Sequence, residues 1–190
     1  MGPAGQAGVA GIPGVTGSPG EAGVGGSVGA AGLAGATGPE GECKPLAYTE
    51  FYALMPPDNA ATVGAGIPVQ FPRNGPTTGV ITRLGGVSST EFVLPGIGTY
   101  LVTFSVSVSE PGQLALDLNS GSGMVELPYT AYGRATGTSL IAGEALVTTT
   151  AANSAIELRN PAGNAPALTI TPAAGGTRAA VASLVIQQLG

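Results

Sequence analysis

Glycine stands at every third position from Gly2 to Gly41 without a break, giving fourteen consecutive Gly-X-Y triplets over residues 2–43. A strict period of three is the signature of a collagen-type triple helix, because three polyproline-II-like strands wind around an axis that only glycine fits. A disordered Gly-rich linker needs no such period and would tolerate slips in spacing. The pattern therefore predicts a homotrimer.

Within the repeat, proline occurs only at Pro3, Pro13, Pro19 and Pro39, below the roughly 15–20% expected of collagen. Glu21, Glu40 and Glu42 have no basic residue in the repeat to pair with, so the triple helix should be weak alone. At about 3 Å per residue, a fully formed stalk would be roughly 125 Å long and act as a spacer. Thr16 and Thr37 fall at Y positions, which point outward, and are candidates for O-linked sugars; plain solvated hydroxyls are the alternative. Cys43, the single cysteine, excludes an intrachain disulfide. It lies near the axis of a trimer and is the candidate for an interchain disulfide, with an uncrosslinked thiol as the alternative.

Residues 44–190 are ample for one compact head. Six Lys or Arg against eleven Asp or Glu give a net charge of −5, which lacks the basic footprint that grips nucleic-acid phosphates. Gly, Thr, Ser, Asn or Pro interrupts every hydrophobic stretch, so no membrane-spanning helix is expected. Met1-Gly2-Pro3 has neither the basic start nor the apolar core of a secretion signal, which makes a trimmed parent sequence the expectation.

From Tyr48 onward the texture changes to short apolar runs separated by Gly, Pro and Asn. Tyr100 to Val108 alternates most clearly, with Tyr100, Val102, Phe104, Val106 and Val108 on one face. Leu114, Leu116 and Leu118 alternate after Pro111-Gly112, which predicts a hairpin between the two segments. Further strands are expected at 48–54, 69–71, 79–83, 91–94, 125–132, 139–147, 156–159, 168–171 and 181–187. Turn signals stand at Asn74-Gly75-Pro76, Asn119-Ser120-Gly121 and Asn160 to Asn164. Ten or so short strands at this spacing predict an all-β sandwich, and the jelly roll packs two sheets from about this number.

A monomer so apolar and so poor in charge would expose sizeable hydrophobic patches, which burial around a threefold axis removes. Phe51, Leu54, Tyr100, Phe104, Val185 and Leu189, from the first, central and last strands, are the candidate trimer-interface residues; the protomer core is their alternative place. Tyr129 and Tyr132 are candidate exposed aromatics for recognition, with a strand-face role as the alternative.

The chain has no histidine, which removes imidazole metal sites and every Ser-His-Asp or Cys-His arrangement. Glu50, Asp58, Glu91, Glu110, Asp117, Glu126, Glu144 and Glu157 are spread across the head; a glycosidase pair or a calcium site would require them to gather. Scattered surface charge is the expectation, with no active site, metal or cofactor, and little change in unfolding temperature between neutral pH and pH 5.

Gly98-Thr99-Tyr100-Leu101-Val102-Thr103-Phe104 resembles the G-x-Y-x-aromatic-x-aromatic strand of complement and tumour-necrosis-factor-like heads, with Val102 in place of one aromatic. A collagen stalk before an all-β head ending in Ala182-Ser183-Leu184-Val185-Ile186 more closely resembles the collagen-like exosporium glycoproteins of spore-forming bacteria, the BclA type. That resemblance implies a trimeric jelly-roll head at the distal tip of a filament on the spore surface, with Thr16 and Thr37 matching glycosylated Gly-X-Thr triplets. A structural surface protein is the expected function. The alternative is a receptor- or glycan-binding tip of a phage tail fibre or adhesin.

Overall fold

A computed structural model describes residues 2–35, 47–55, 58–59, 62–137, 139–164, 167–171 and 179–190. The chain divides into two compact units, Met1–Gly41 and Glu42–Gly190. In the first unit residues 2–35 form no helix or strand, and every one of them is exposed. A Cβ built on any glycine from Gly2 to Gly35 would meet no atom of its own chain within 4 Å. Among the described residues no contact within the chain accounts for the period of three.

The second unit is all-β. Its strands among the described residues are β1 (Ala47–Met55), β2 (Thr62–Val63), β3 (Arg73–Thr77), β4 (Thr82–Arg83), β5 (Phe92–Leu94), β6 (Gly98–Val108), β7 (Gly112–Asn119), β8 (Val125–Glu126), β9 (Tyr132–Arg134), β10 (Ser139–Thr149), β11 (Ser154–Arg159), β12 (Leu168–Thr169) and β13 (Ala180–Gln188). One sheet has the order β10-β6-β13-β1-β3; the facing sheet runs β4-β5-β11-β7-β8, with β9 also on β7, and β12 pairs β2 separately. All pairings are antiparallel.

Alternation selects the inner faces. Phe51, Tyr100, Val102, Phe104, Val106, Leu184 and Ile186 from the five-stranded sheet meet Phe92, Leu94, Leu114, Leu116, Ile156 and Leu158 from the other in one buried core. Phe51 stacks on Phe92 across the sandwich with ring centroids 4.1 Å apart, and Phe71 meets Phe92 edge-on at 6.3 Å. Such aromatic pairs add about 0.5–1.5 kcal/mol beyond the area they bury. The buried Tyr100 hydroxyl donates to the Gly96 carbonyl (2.9 Å) and accepts from the Gly96 amide (3.0 Å), so no polar atom of that side chain is stranded.

Strands adjacent in sequence lie mostly in opposite sheets, and this corrects the expected hairpin. β6 pairs β10 and β13, whereas β7 pairs β11, β8 and β9. Residues 109–111 therefore cross between sheets. Gly112 serves close approach there, since a Cβ would come within 2.6 Å of Leu168 Cδ2. Three more readings change. Residues 69–71 form no strand, although Val69 and Phe71 are buried and their amides donate to the Leu158 and Ser89 carbonyls at 2.8 and 2.7 Å. Asn74-Gly75-Pro76 lies inside β3 and not in a turn; β3 ends its sheet, where the missing N–H of Pro76 costs no ladder bond. The expected 125–132 strand is β8, a 3-10 turn at Pro128–Thr130, and then β9.

Candidate interaction surface

The five-stranded sheet turns its second face outward. Register places Tyr48, Gln187, Leu101 and Leu146 in one row across β1, β13, β6 and β10, and Glu50, Val185, Thr103 and Glu144 in the next. Apolar side chains on this face remain open to solvent in the single protomer: Leu146 is 55% exposed, Leu140 51%, Val181 43% and Tyr48 41%. Between them lies a groove of about 370 Å³, lined by Thr103, Ser105, Ala142, Glu144, Ser183 and Val185. Ser183 donates to Glu50 (2.9 Å) and Thr103 to Glu144 (3.4 Å), so both carboxylates are held by hydroxyls of neighbouring strands.

The expected interface residues divide on this geometry. Phe51, Tyr100 and Phe104 are each at most 3% exposed and take their alternative place, in the protomer core. The pleat places odd-numbered β1 residues and even-numbered β6 residues inward. Leu54 and Val185 stand half-buried on the outward face, and Leu189 is exposed just beyond β13. Tyr48, Leu101, Leu140, Leu146 and Val181 were missed; the alternation that fixed the core face of each strand marks them as its complement.

Tyr129 and Tyr132 are exposed, yet both are tied to β10. Their hydroxyls donate to the Leu146 carbonyl (3.2 Å) and the Glu144 carbonyl (2.6 Å), two acceptors on the free edge of that strand. The Tyr132 ring also meets Phe104 edge-on at 6.1 Å.

On the opposite sheet, Asp117 and Glu157 correct the expectation of scattered surface charge. They stand directly opposite each other on β7 and β11, both buried, with Glu126 opposite Asp117 on β8. Arg159 pairs with both, at 3.4 Å from Asp117 and in a short hydrogen bond to Glu157. Burial pushes both carboxyls above the usual carboxylate range, against the opposing pull of Arg159. Among the described residues no group of three or more acidic or cysteine side chains is arranged to hold a metal ion. Thr16 is exposed; Thr37 and Cys43 lie outside the described residues.

No family model matches the sequence, and no curated protein matches it. Solved structures do. The head has a jelly-roll fold like that of solved complement and tumour necrosis factor domains. The globular domain of zebrafish complement 1qA aligns with a TM-score of 0.50 at 14% identity, over 77% of this chain and 97% of that one. The Eiger tumour necrosis factor of S. frugiperda aligns with a TM-score of 0.51 at 14% identity, over 77% of this chain and 94% of that one. At such identity the likeness fixes the fold and leaves the function to this chain's own residues.

Proposed function

We propose that the chain is a structural surface protein: a homotrimer whose Gly-X-Y segments wind together and whose head forms the distal tip of a collagen-like filament on a spore exosporium or another cell exterior. The observation that carries this reading is the outward face of the five-stranded sheet, where Leu140, Leu146, Val181 and Tyr48 are exposed in one protomer. Joining three such faces buries apolar surface worth about 25 cal/mol per Å², enough to clamp a proline-poor stalk. Leu54, Val185 and Leu189 belong to the same interface in this reading. The glycine period supports it independently, because only neighbouring chains give those glycines a steric reason. The role is assembly and display, not catalysis, in keeping with a sequence free of histidine.

Size-exclusion chromatography with light scattering tests the assembly. The expected mass is that of three 18.3 kDa chains, about 55 kDa. A stable single chain under native conditions would overturn the proposal. Antibody labelling of intact spores tests the location, and a signal confined to the interior would remove the surface role.

A further inference from the structure

Four strands of the outward sheet face, β1, β13, β6 and β10, carry charge of one sign only. Glu50 on β1 and Glu144 on β10 end the row in which Val185 and Thr103 stand between them. At about 4.8 Å between neighbouring strands, their backbones lie about 14 Å apart. Both carboxylates lean towards the middle of the row, because Ser183 on β13 donates to Glu50 and Thr103 on β6 donates to Glu144. The adjacent row, Tyr52, Ser183, Ser105 and Ala142, has small side chains at its centre, which opens the groove beside them.

No cation answers these two groups. Neither glutamate forms an ion pair among the described residues. β13 and β6 present only hydroxyl, amide and aliphatic side chains on this face, and β1 adds only Tyr48 and Tyr52. Arg73 on β3, opposite Tyr52, is engaged by Asp58. Beside β10, Tyr129 and Tyr132 donate to backbone carbonyls. In one protomer the arrangement costs little, since Glu144 is exposed and Glu50 half-buried, so water completes their shells. An ionised carboxylate has about four acceptor sites, and a single hydroxyl fills one of them. Joining three chains over this face takes that water away from two carboxylates per chain. A charge moved from water without a partner is strongly disfavoured. A carboxyl group that has taken a proton is neutral, donates one hydrogen bond, and suits a groove lined by Ser105 and Ser183.

We propose, resting on the trimer reading above, that this face closes by drawing protons from solvent onto Glu50 and Glu144, so that acid tightens the assembly and rising pH loosens it. The assembled state then binds more protons than the separate chains, so the added stability is complete at low pH and is lost as pH rises. Each proton taken up per trimer changes the dissociation constant about tenfold per pH unit.

Sedimentation equilibrium of the full chain tests this from about pH 7.5 to about pH 5.5, with EDTA present and at the urea concentration that populates trimer and single chain together. The wild-type dissociation constant should fall about tenfold or more per pH unit. Glu50→Gln/Glu144→Gln keeps side-chain size and an acceptor for each hydroxyl. It should hold the trimer about tenfold or more tighter at the upper pH, with a flatter slope, and Glu144→Gln alone should lie between. Asp117 and Glu157 are the same in both proteins, so the difference in slope belongs to the sheet face. A single chain at every pH without urea removes the trimer reading and this inference with it. A trimer whose double variant keeps the wild-type slope, or is looser at the upper pH, overturns the proton uptake alone. So does a trimer that millimolar calcium, with EDTA omitted, tightens at the upper pH as strongly as acid does.

Discussion

Gly143→Ala should destabilise the head, and the structure sets the size of the penalty. It faces inward on β10 directly opposite Phe104. A Cβ there would lie 2.5 Å from Tyr132 Cδ2 and 2.6 Å from Phe104 Cζ, against an optimum carbon separation of about 3.5–4.0 Å. Neither ring can yield cheaply. Phe104 is 1% exposed in the core, and Tyr132 is pinned by its hydrogen bond to the Glu144 carbonyl. Overpacking of this kind costs about 1–3 kcal/mol, offset by about 0.4–1 kcal/mol from the stiffer unfolded chain. The net, centred on about 1.3 kcal/mol, corresponds to a drop in Tm of about 3–5 °C for a domain of this size. Thermal unfolding of the full chain followed by circular dichroism, at fixed protein concentration, reads it directly. Gly163→Ala is the matched control, because a Cβ there meets nothing within 4 Å and the backbone does not require positive φ. If the collision with Tyr132 is the cause, the penalty shrinks in a Tyr132→Ala background. A Gly143→Ala protein that melts with or above the control refutes the packing described for β10.

Acidification from neutral pH towards the unfolded carboxyl values near 4 should stabilise the head through Asp117 and Glu157. Asp117 and Glu157 bind protons more tightly folded than unfolded, so their stabilisation is complete below the unfolded values near 4 and is lost as pH rises through the folded values; Asp117→Asn should flatten a Tm profile across that window. Below about pH 4 the trend reverses, because Asp58, held low chiefly by its hydrogen bond from Arg73, loses its contribution on protonation. Asn160→Ala should cost about 1–3 kcal/mol in urea unfolding, since the buried amide donates to the Val63 carbonyl at 2.9 Å and accepts from Asn164 at 2.7 Å. Leu146→Glu, on the outward sheet face, should convert the assembly to lower mass in light scattering while circular dichroism of the head stays unchanged.

Alternation carried the reading of the sequence furthest where one face of a strand is buried and the other is not, as from Tyr100 to Val108, while the number and spacing of the strands pointed to the two-sheet architecture. It could not say which sheet a following strand joins. Pro111-Gly112 looks like a hairpin turn in either case, and only the packing of Leu168 against Gly112 distinguishes the crossing. Alternation also fails on β7, where Ala115 and Asp117 are buried on the face that should be wet, because strands on both sides and Arg159 cover them. Favouring large aromatics over parity put Phe51, Tyr100 and Phe104 among the interface candidates, whereas the pleat sends those rings into the protomer core and presents Tyr48, Leu101 and Leu146 outward. Arg83 gave no local signal, since its burial depends on Phe51, distant in sequence and in the other sheet, as well as on Phe92, its cross-strand partner on β5.

Strand β10 is long, ends its sheet, and offers its backbone to any passing extended chain. The two tyrosines that occupy its Glu144 and Leu146 carbonyls act as stoppers on that ladder. Separate heads that meet edge to edge can then jostle without zipping into fibres.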